Sequence, residues 1–219
     1  MEQVIQNILY FHAFSGGIAL ISGIVAIATK KGSKPHIRSG NVYFWSMLSV
    51  IITGLIVGFF RNNIFLQAIA IFSFYMAFTG KRVLRYKKEI KPAILDWGMN
   101  VLSMLVAVIM LTWGILILIQ HGFVGAVPML MVFGGLLFSM TLNDAKKMWK
   151  KKFVKNAWLI DHISRMGGSF IATSTAFLLV NTHVEPVWVM WLLPTAVGTP
   201  MIITATRKWS KKMNPVKGT

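Results

Sequence analysis

The chain has 219 residues, of which 55% are hydrophobic and only 13% are charged, and its 23 Lys and Arg residues against 6 Asp and Glu residues give a net charge of +17. A soluble domain carries about 25% charged residues, so this composition excludes a water-soluble globule and indicates an integral membrane protein. The chain has no cysteine, which excludes disulfides and thiolate metal sites.

Seven segments are apolar and long enough to cross a hydrocarbon core of about 30 Å, which takes roughly 20 helical residues. In chain order they are Ile8 to Thr29, Val42 to Phe60, Ile64 to Gly80, Trp97 to Gln120, Gly122 to Thr141, Ala157 to Asn181 and Val187 to Thr206. Their apolar runs do not alternate as barrel strands do. The sequence therefore predicts an all-α fold, a single seven-helix transmembrane domain over residues 1–219.

Two boundaries carry further expectations. Only Gln120, His121 and Gly122 separate the fourth and fifth segments, which predicts a tight helical hairpin. The first apolar segment is longer than the h-region of a signal peptide, about 7 to 15 residues, so we expect the first helix to remain in the mature protein.

The basic residues are placed on alternate connections. Arg61 lies in another connection and Arg165 lies within a span. The other basic residues follow the first, third, fifth and seventh segments: Lys30, Lys31, Lys34 and Arg38; Lys81, Arg82, Arg85, Lys87, Lys88 and Lys91; Lys146, Lys147, Lys150, Lys151, Lys152 and Lys155; Arg207, Lys208, Lys211, Lys212 and Lys217. By the positive-inside rule, the N-terminus is predicted outside and the C-terminus in the cytoplasm.

This placement also indicates which partner the positive charge binds. Basic loops on one membrane face are the usual topology signal, and they attract anionic lipid headgroups with about 1 kcal/mol per cation. The lipid bilayer is therefore the predicted partner, with anionic headgroups at the cytoplasmic loops, and nucleic acid is not.

Ionisable groups inside a membrane are costly, so they are the candidates for a functional site. Most of them map to the predicted cytoplasmic end: His36, Asp96, Asp144, Asp161, His162 and Arg165. Asp161 and Arg165 are four residues apart on one helical face, which predicts a salt bridge between them. His162 and His36 would titrate or act as ligands, and Asp96 would be an accepting carboxylate.

Secondary candidates extend the same polar faces. Ser169 and Thr173 continue the stripe of His162 and Arg165, and Asn100 follows Asp96 by one helical turn. Hydroxyl and small residues on such faces most often hold membrane helices together.

The histidines also raise a metal or haem hypothesis. His12, His121 and His183 share the predicted outer end but lack the short spacing of a zinc site, so they are weak zinc candidates. Haem needs two facing histidines at similar depth, and His36 with His162 is the best pair, although His36 is predicted to lie outside its helix.

The first two helices carry a pattern of their own. His12, Gly17 and Gly23 precede the run His36-Ile37-Arg38-Ser39-Gly40-Asn41-Val42-Tyr43, and His162-Ile-Ser-Arg165-Met166 follows later. These elements resemble a family of bacterial membrane proteins catalogued as domain of unknown function 2306. The resemblance implies a small multi-pass protein of the bacterial cytoplasmic membrane and raises His12, His36, Arg38, His162 and Arg165 as site candidates, without implying an activity.

Three function classes fit these observations. The leading hypothesis is a polytopic protein of the bacterial inner membrane that handles a small ligand, an ion or a proton at the cytoplasmic cluster. The second is a haem- or metal-dependent redox protein or enzyme with histidine ligands. The third is a membrane sensor or assembly partner.

Overall fold

The structure, a computed structural model, describes residues 2–87, 92–123, 127–150, 157–182 and 188–213. Within these ranges the chain forms seven α-helices and a 3-10 turn at Val83–Lys87, and no strand. The helices are α1 (Glu2–Ala28), α2 (Lys34–Phe60), α3 (Ile64–Arg82), α4 (Ile94–His121), α5 (Val127–Trp149), α6 (Ala157–Asn181) and α7 (Trp188–Met213). The all-α prediction is confirmed.

Within the part of the chain that the structure describes, six helices, α1, α2 and α4 to α7, are identified as long and apolar enough to cross a membrane. Several begin earlier or end later than the apolar segments alone predict, because their polar ends continue the helix. The bounds of α6 agree with the sequence prediction.

The fourth and fifth predicted segments form a helical hairpin, but its connection lies later than residues 120–122. Gln120 and His121 belong to α4, which ends at His121 with Gly122 as its C-cap residue, and α5 begins at Val127. Gly122 has a φ of +77°, a conformation that favours glycine, and its N–H donates to the carbonyl of Leu118. This glycine therefore closes α4 after the predicted apolar segment.

Sequence neighbours in the bundle run antiparallel. Side-chain pairs show this for each consecutive pair of helices, since the residue number rises on one helix as it falls on the next. The pairs are His12–Thr53 and Ser15–Ser49, Gly58–Gln67 and Phe44–Lys81, Tyr75–Asn100, Arg82–Asp96, Met104–Thr141, Gly114–Met131, Asp144–Arg165, Lys147–Asp161, Gly167–Ile202 and Gly198–Ile171.

Because the helices alternate in direction, one end of each helix lies on the same side of the bundle. The C-terminal ends of α1, α3, α5 and α7 and the N-terminal ends of α2, α4 and α6 lie together, and we call this the basic end. Apart from Arg61, the described cations lie there: Lys30, Lys31, Lys34, Arg38, Lys81, Arg82, Arg85, Lys87, Lys146, Lys147, Lys150, Arg165, Arg207, Lys208, Lys211 and Lys212.

The bundle is apolar outside and partly polar inside. Large apolar side chains of α1 and α4, such as Phe14, Ile21 and Leu105, are more than half exposed. Polar side chains are buried between helices instead: Ser15, Ser22, Thr53, Asp96, Asn100, Ser103, Thr141, Ser169 and Thr175. This arrangement suits lipid as the surrounding solvent, because lipid solvates the apolar exterior.

Close helix contacts depend on glycine at particular positions. A Cβ placed on Gly23 of α1 would lie 2.5 Å from the Phe170 ring of α6, whereas one on Gly17 meets nothing within 4 Å. We expect Gly23→Leu to lower the free energy of unfolding in detergent by about 1–3 kcal/mol through overpacking. Gly17→Leu is the matched control in the same helix and should leave the melting temperature nearly unchanged. Equal losses in the two variants would contradict this packing.

Candidate functional site

A cavity at the basic end is lined by three ion pairs from four helices. Arg82 of α3 pairs with Asp96 of α4, Asp144 of α5 with Arg165 of α6, and Lys147 of α5 with Asp161 of α6. Tyr75, Thr79, Val83, Tyr86 and Met148 complete the lining. We call this site the ion-pair cavity.

The pair between Asp144 and Arg165 is the most connected. Arg165 Nη2 donates to Asp144 Oδ1 and Nη1 donates to the hydroxyl of Thr79 at 2.8 Å. Tyr75 donates to the other carboxylate oxygen at 2.7 Å, and Asn100 donates to the Tyr75 oxygen at 3.0 Å. Side chains from α3, α4, α5 and α6 thus form one hydrogen-bonded chain.

The pair between Arg82 and Asp96 lies at the N-terminus of α4. Arg82 binds both carboxylate oxygens, with Nε at 2.7 Å and Nη2 at 2.6 Å, and the backbone N–H of Ala93 donates to Asp96 at 2.8 Å. The carboxylate therefore stabilises the N-terminus of α4 while it holds a bidentate guanidinium.

The third pair is more open. Lys147 Nζ lies 3.1 Å from Asp161 Oδ2, and the two side chains are 42% and 29% exposed. Pairs of such exposure contribute about 0–1 kcal/mol to stability.

Tyr86 lines the cavity, where burial, with a further contribution from the Asp96 carboxylate, raises its pKa to about 12. Its phenol therefore stays protonated at neutral pH.

The predicted salt bridge between Asp161 and Arg165 was wrong. Arg165 pairs with Asp144 and Asp161 pairs with Lys147. An intrahelical pair is worth about 0.3–0.5 kcal/mol, whereas a buried carboxylate left without its partner costs about 3–5 kcal/mol. Pairing of Arg165 with the buried Asp144 is therefore favoured over the intrahelical pair, and the contacts of α5 and α6 with α3 bring the two side chains together.

The two histidines of the predicted cluster form a separate pair. His36 lies in the first turn of α2, after the capping residue Ser33, so the prediction that it lies outside its helix was wrong. Its ring centre is 6.4 Å from that of His162 on α6. Neither histidine lines the ion-pair cavity, and His162 is instead bonded through Nδ1 to the carbonyl of Gly80.

The secondary candidates are divided in the same way. Asn100 joins the ion-pair chain, and Ser169 and Thr173 bind the hydroxyl of Tyr43 at 2.8 and 3.4 Å between α2 and α6. Arg38 is exposed near the start of α2. His12 binds Thr53 at 2.8 Å within the α1–α2 contact.

The other two weak zinc candidates are His121 and His183. His121 is exposed in the last turn of α4, and His183 lies outside the described residues. Among the described residues, no group of three His, Cys, Asp or Glu side chains is close enough to hold a metal ion.

Sequence reasoning missed Arg82 and Tyr75. Arg82 was counted as one of several loop cations, although the intramembrane position of Asp96 indicates that some cation must pair with it. Tyr75 stands in the apolar run of α3 and gives no local signal, yet it is 1% exposed and joins Asn100 to Asp144.

Comparison of the chain with models of protein families, with curated proteins and with solved structures finds no match.

The competing pairings give a quantitative prediction. Removing Arg165 with Arg165→Met should cost about 3–5 kcal/mol of stability because Asp144 is left buried and unpaired, and adding Asp144→Asn should recover much of that loss. Asp161→Asn, the matched control, should change stability by less than about 1 kcal/mol and show little coupling to Arg165. Thermal or denaturant unfolding in detergent measures the coupling energies. Stronger coupling of Arg165 to Asp161 than to Asp144 would refute the observed pairing.

Proposed function

We propose that the chain is a seven-span protein of the bacterial cytoplasmic membrane, with its N-terminus outside, and that its ion-pair cavity binds and passes a proton or a water-sized ion on the cytoplasmic side. The observation that carries the proposal is Asp144 at the cavity, joined to Tyr75 and Asn100 toward the bundle interior.

The direction of the helices and the distribution of charge support the seven-span topology. α2 ends, and α4 begins, at opposite ends of the bundle, so α3 must run the full distance between them. Its 19 residues span about 28 Å at 1.5 Å per residue, close to the hydrocarbon thickness of about 30 Å. Cations gathered at the basic end favour the cytoplasm for that end. The kinship to the domain of unknown function 2306 family stays a prediction.

The size of the cavity limits which species can bind in it. It leaves about 50 Å³ for the centres of water-sized molecules. One water needs roughly 10–15 Å³ of such space, so the cavity admits a few waters or a small ion. This size favours an ion or a proton within the broader hypothesis of a small ligand, an ion or a proton.

The charges of the lining also favour a small, mobile species. Three cations, Arg82, Lys147 and Arg165, face three carboxylates, so neither sign dominates the cavity. A proton moves through such a site by exchange between groups that both donate and accept hydrogen bonds. Asp144 and the Tyr75 hydroxyl can exchange a proton in this way, whereas Asn100 only donates, to Tyr75 and to the carbonyl of Thr141 at 2.9 Å, and so holds the Tyr75 oxygen in place.

Ser103 extends this polar face into the bundle. It lies one turn beyond Asn100 on α4, is 0% exposed, and its Oγ has no hydrogen-bond partner within the described residues. An unsatisfied buried hydroxyl costs about 1–3 kcal/mol, and a bound water would supply the missing bond. Ser103 thus supports a hydrated continuation of the chain from Asn100.

The topology has a direct test, since the chain has no cysteine of its own. Single variants Glu2→Cys and Lys211→Cys place a thiol at either end of the bundle. A membrane-impermeant maleimide applied to intact bacterial cells should label Glu2→Cys only, and both should react after the membrane is opened. Labelling of both variants, or of Lys211→Cys alone, in intact cells would contradict a seven-span protein with its N-terminus outside.

The transport activity is tested in liposomes. Purified protein should carry a proton flux under an imposed pH gradient, read with an internal pH dye, and both Asp144→Asn and Asp96→Asn should lower it at least about tenfold because each removes an ionisable acceptor. Glu2→Gln is the matched control, because Glu2 pairs with Arg61 at the opposite end of the bundle.

The outcomes separate the alternatives. Flux that the two aspartate variants leave intact would refute the site. Absence of flux of protons and of small inorganic ions from folded protein would refute the proposed function and favour the sensor or assembly hypothesis.

A further inference from the structure

The histidine pair lies where α2 and α6 face each other at the basic end. His36 stands in the first turn of α2 and His162 in the second turn of α6, and the two rings are nearly perpendicular at 80° with centres 6.4 Å apart. Further along, Tyr43 meets Ser169 and Met47 meets Thr173 with the same sequence offset, so the two helices run parallel and in register. The pair therefore belongs to a regular series of side-chain contacts between two helices whose backbones do not approach closely.

The hydrogen bonds of the two rings fix their tautomers. His36 Nδ1 lies 2.9 Å from the carbonyl of Ala26, and His162 Nδ1 lies 2.7 Å from the carbonyl of Gly80. A carbonyl only accepts, so each Nδ1 carries the proton and each neutral ring keeps a lone pair on Nε2. Metal-binding histidines are oriented in this way, with the other ring nitrogen donating to a carbonyl.

The ring separation matches the distance expected for one metal ion bound between two Nε2 atoms that face each other. Two metal–nitrogen bonds of about 2.0 Å, together with roughly 1 Å from each nitrogen to its ring centre, place ring centres about 6 Å apart. The observed separation is 6.4 Å.

A thioether lies beside the same residue that anchors His162. A Cβ on Gly80 would be 3.0 Å from Met166 Sδ, and Met166 follows His162 by one helical turn on the same face. Gly80 thus contacts both His162 and Met166, and rotation of the flexible Met166 side chain would turn its sulfur toward the histidine pair.

The charge around the pair selects among metals. Lys31 Nζ donates to the carbonyl of Ala26 at 3.1 Å, the same carbonyl that binds His36. A neighbouring ammonium disfavours a divalent ion more than a monovalent one. Zn²⁺ also prefers four ligands, whereas a thioether favours Cu(I).

We propose that His36, His162 and Met166 form a Cu(I) site between α2 and α6 at the basic end. It is separate from the ion-pair cavity and does not depend on the transport proposal. Its ligands come from α2 and α6, so metal binding would tie two helices that meet there through side chains.

The test uses the full-length protein in detergent. Cu(I) is titrated against a chromogenic Cu(I) chelator, and we expect one equivalent bound, with the affinity lowered at least about tenfold in His36→Ala and in His162→Ala. His121→Ala, at the opposite end, is the control and should bind as the wild type does. Circular dichroism and gel filtration show that each variant is folded.

X-ray absorption of the copper-loaded protein tests the ligand set itself. Wild type should show nitrogen and sulfur scattering, and Met166→Leu, which conserves side-chain volume, should lose the sulfur contribution while copper stays bound. Sulfur scattering that persists in Met166→Leu would overturn the assignment. So would Cu(I) binding that is unchanged in folded His36→Ala.

Two further results would replace copper with another centre. Stoichiometric zinc by elemental analysis that is lost in the histidine variants would overturn the copper assignment. A Soret band in protein from haem-supplied cells, lost in the same variants, would overturn it in favour of haem iron.

Discussion

The buried ion pair between Asp144 and Arg165 is the interaction on which the basic end of this bundle depends. Its two side chains are only 14% and 11% exposed, so each charge needs the other. Tyr75 and Thr79 of α3 and Asn100 of α4 complete the shell around it. One carboxylate and its guanidinium therefore join α5 to α6 through side chains and link both helices to α3 and α4.

α6 links the two clusters at this end. Arg165 reaches the ion-pair cavity through Asp144, and His162, one turn earlier, binds the carbonyl of Gly80 beside the histidine pair. Thr79 and Gly80 are adjacent on α3, so a shift of α3 against α6 would disturb both clusters together. The proposed ion pathway and the proposed copper site thus share one helix contact without sharing a ligand.

The sequence predicts the helical class, the grouping of cations and the apolar central part of each helix because these depend on local composition and on the bilayer thickness. It does not predict which charges pair. Asp161 and Arg165 have the right spacing along one helix, but the choice of Asp144 depends on how α5 and α6 are placed around α3. Arg82 and Tyr75 were missed for the same reason: their roles arise only when α3 and its neighbours are assembled.

An exchange of charges tests this account most directly. Asp144→Arg and Arg165→Asp should each abolish folding, judged by yield of monodisperse protein in detergent, because each places like charges together in a buried site. The double exchange should recover monodisperse protein and much of the wild-type melting temperature. A double variant no better than either single one, alongside an Asp161→Arg variant that is equally damaged, would contradict the central place of the pair between Asp144 and Arg165.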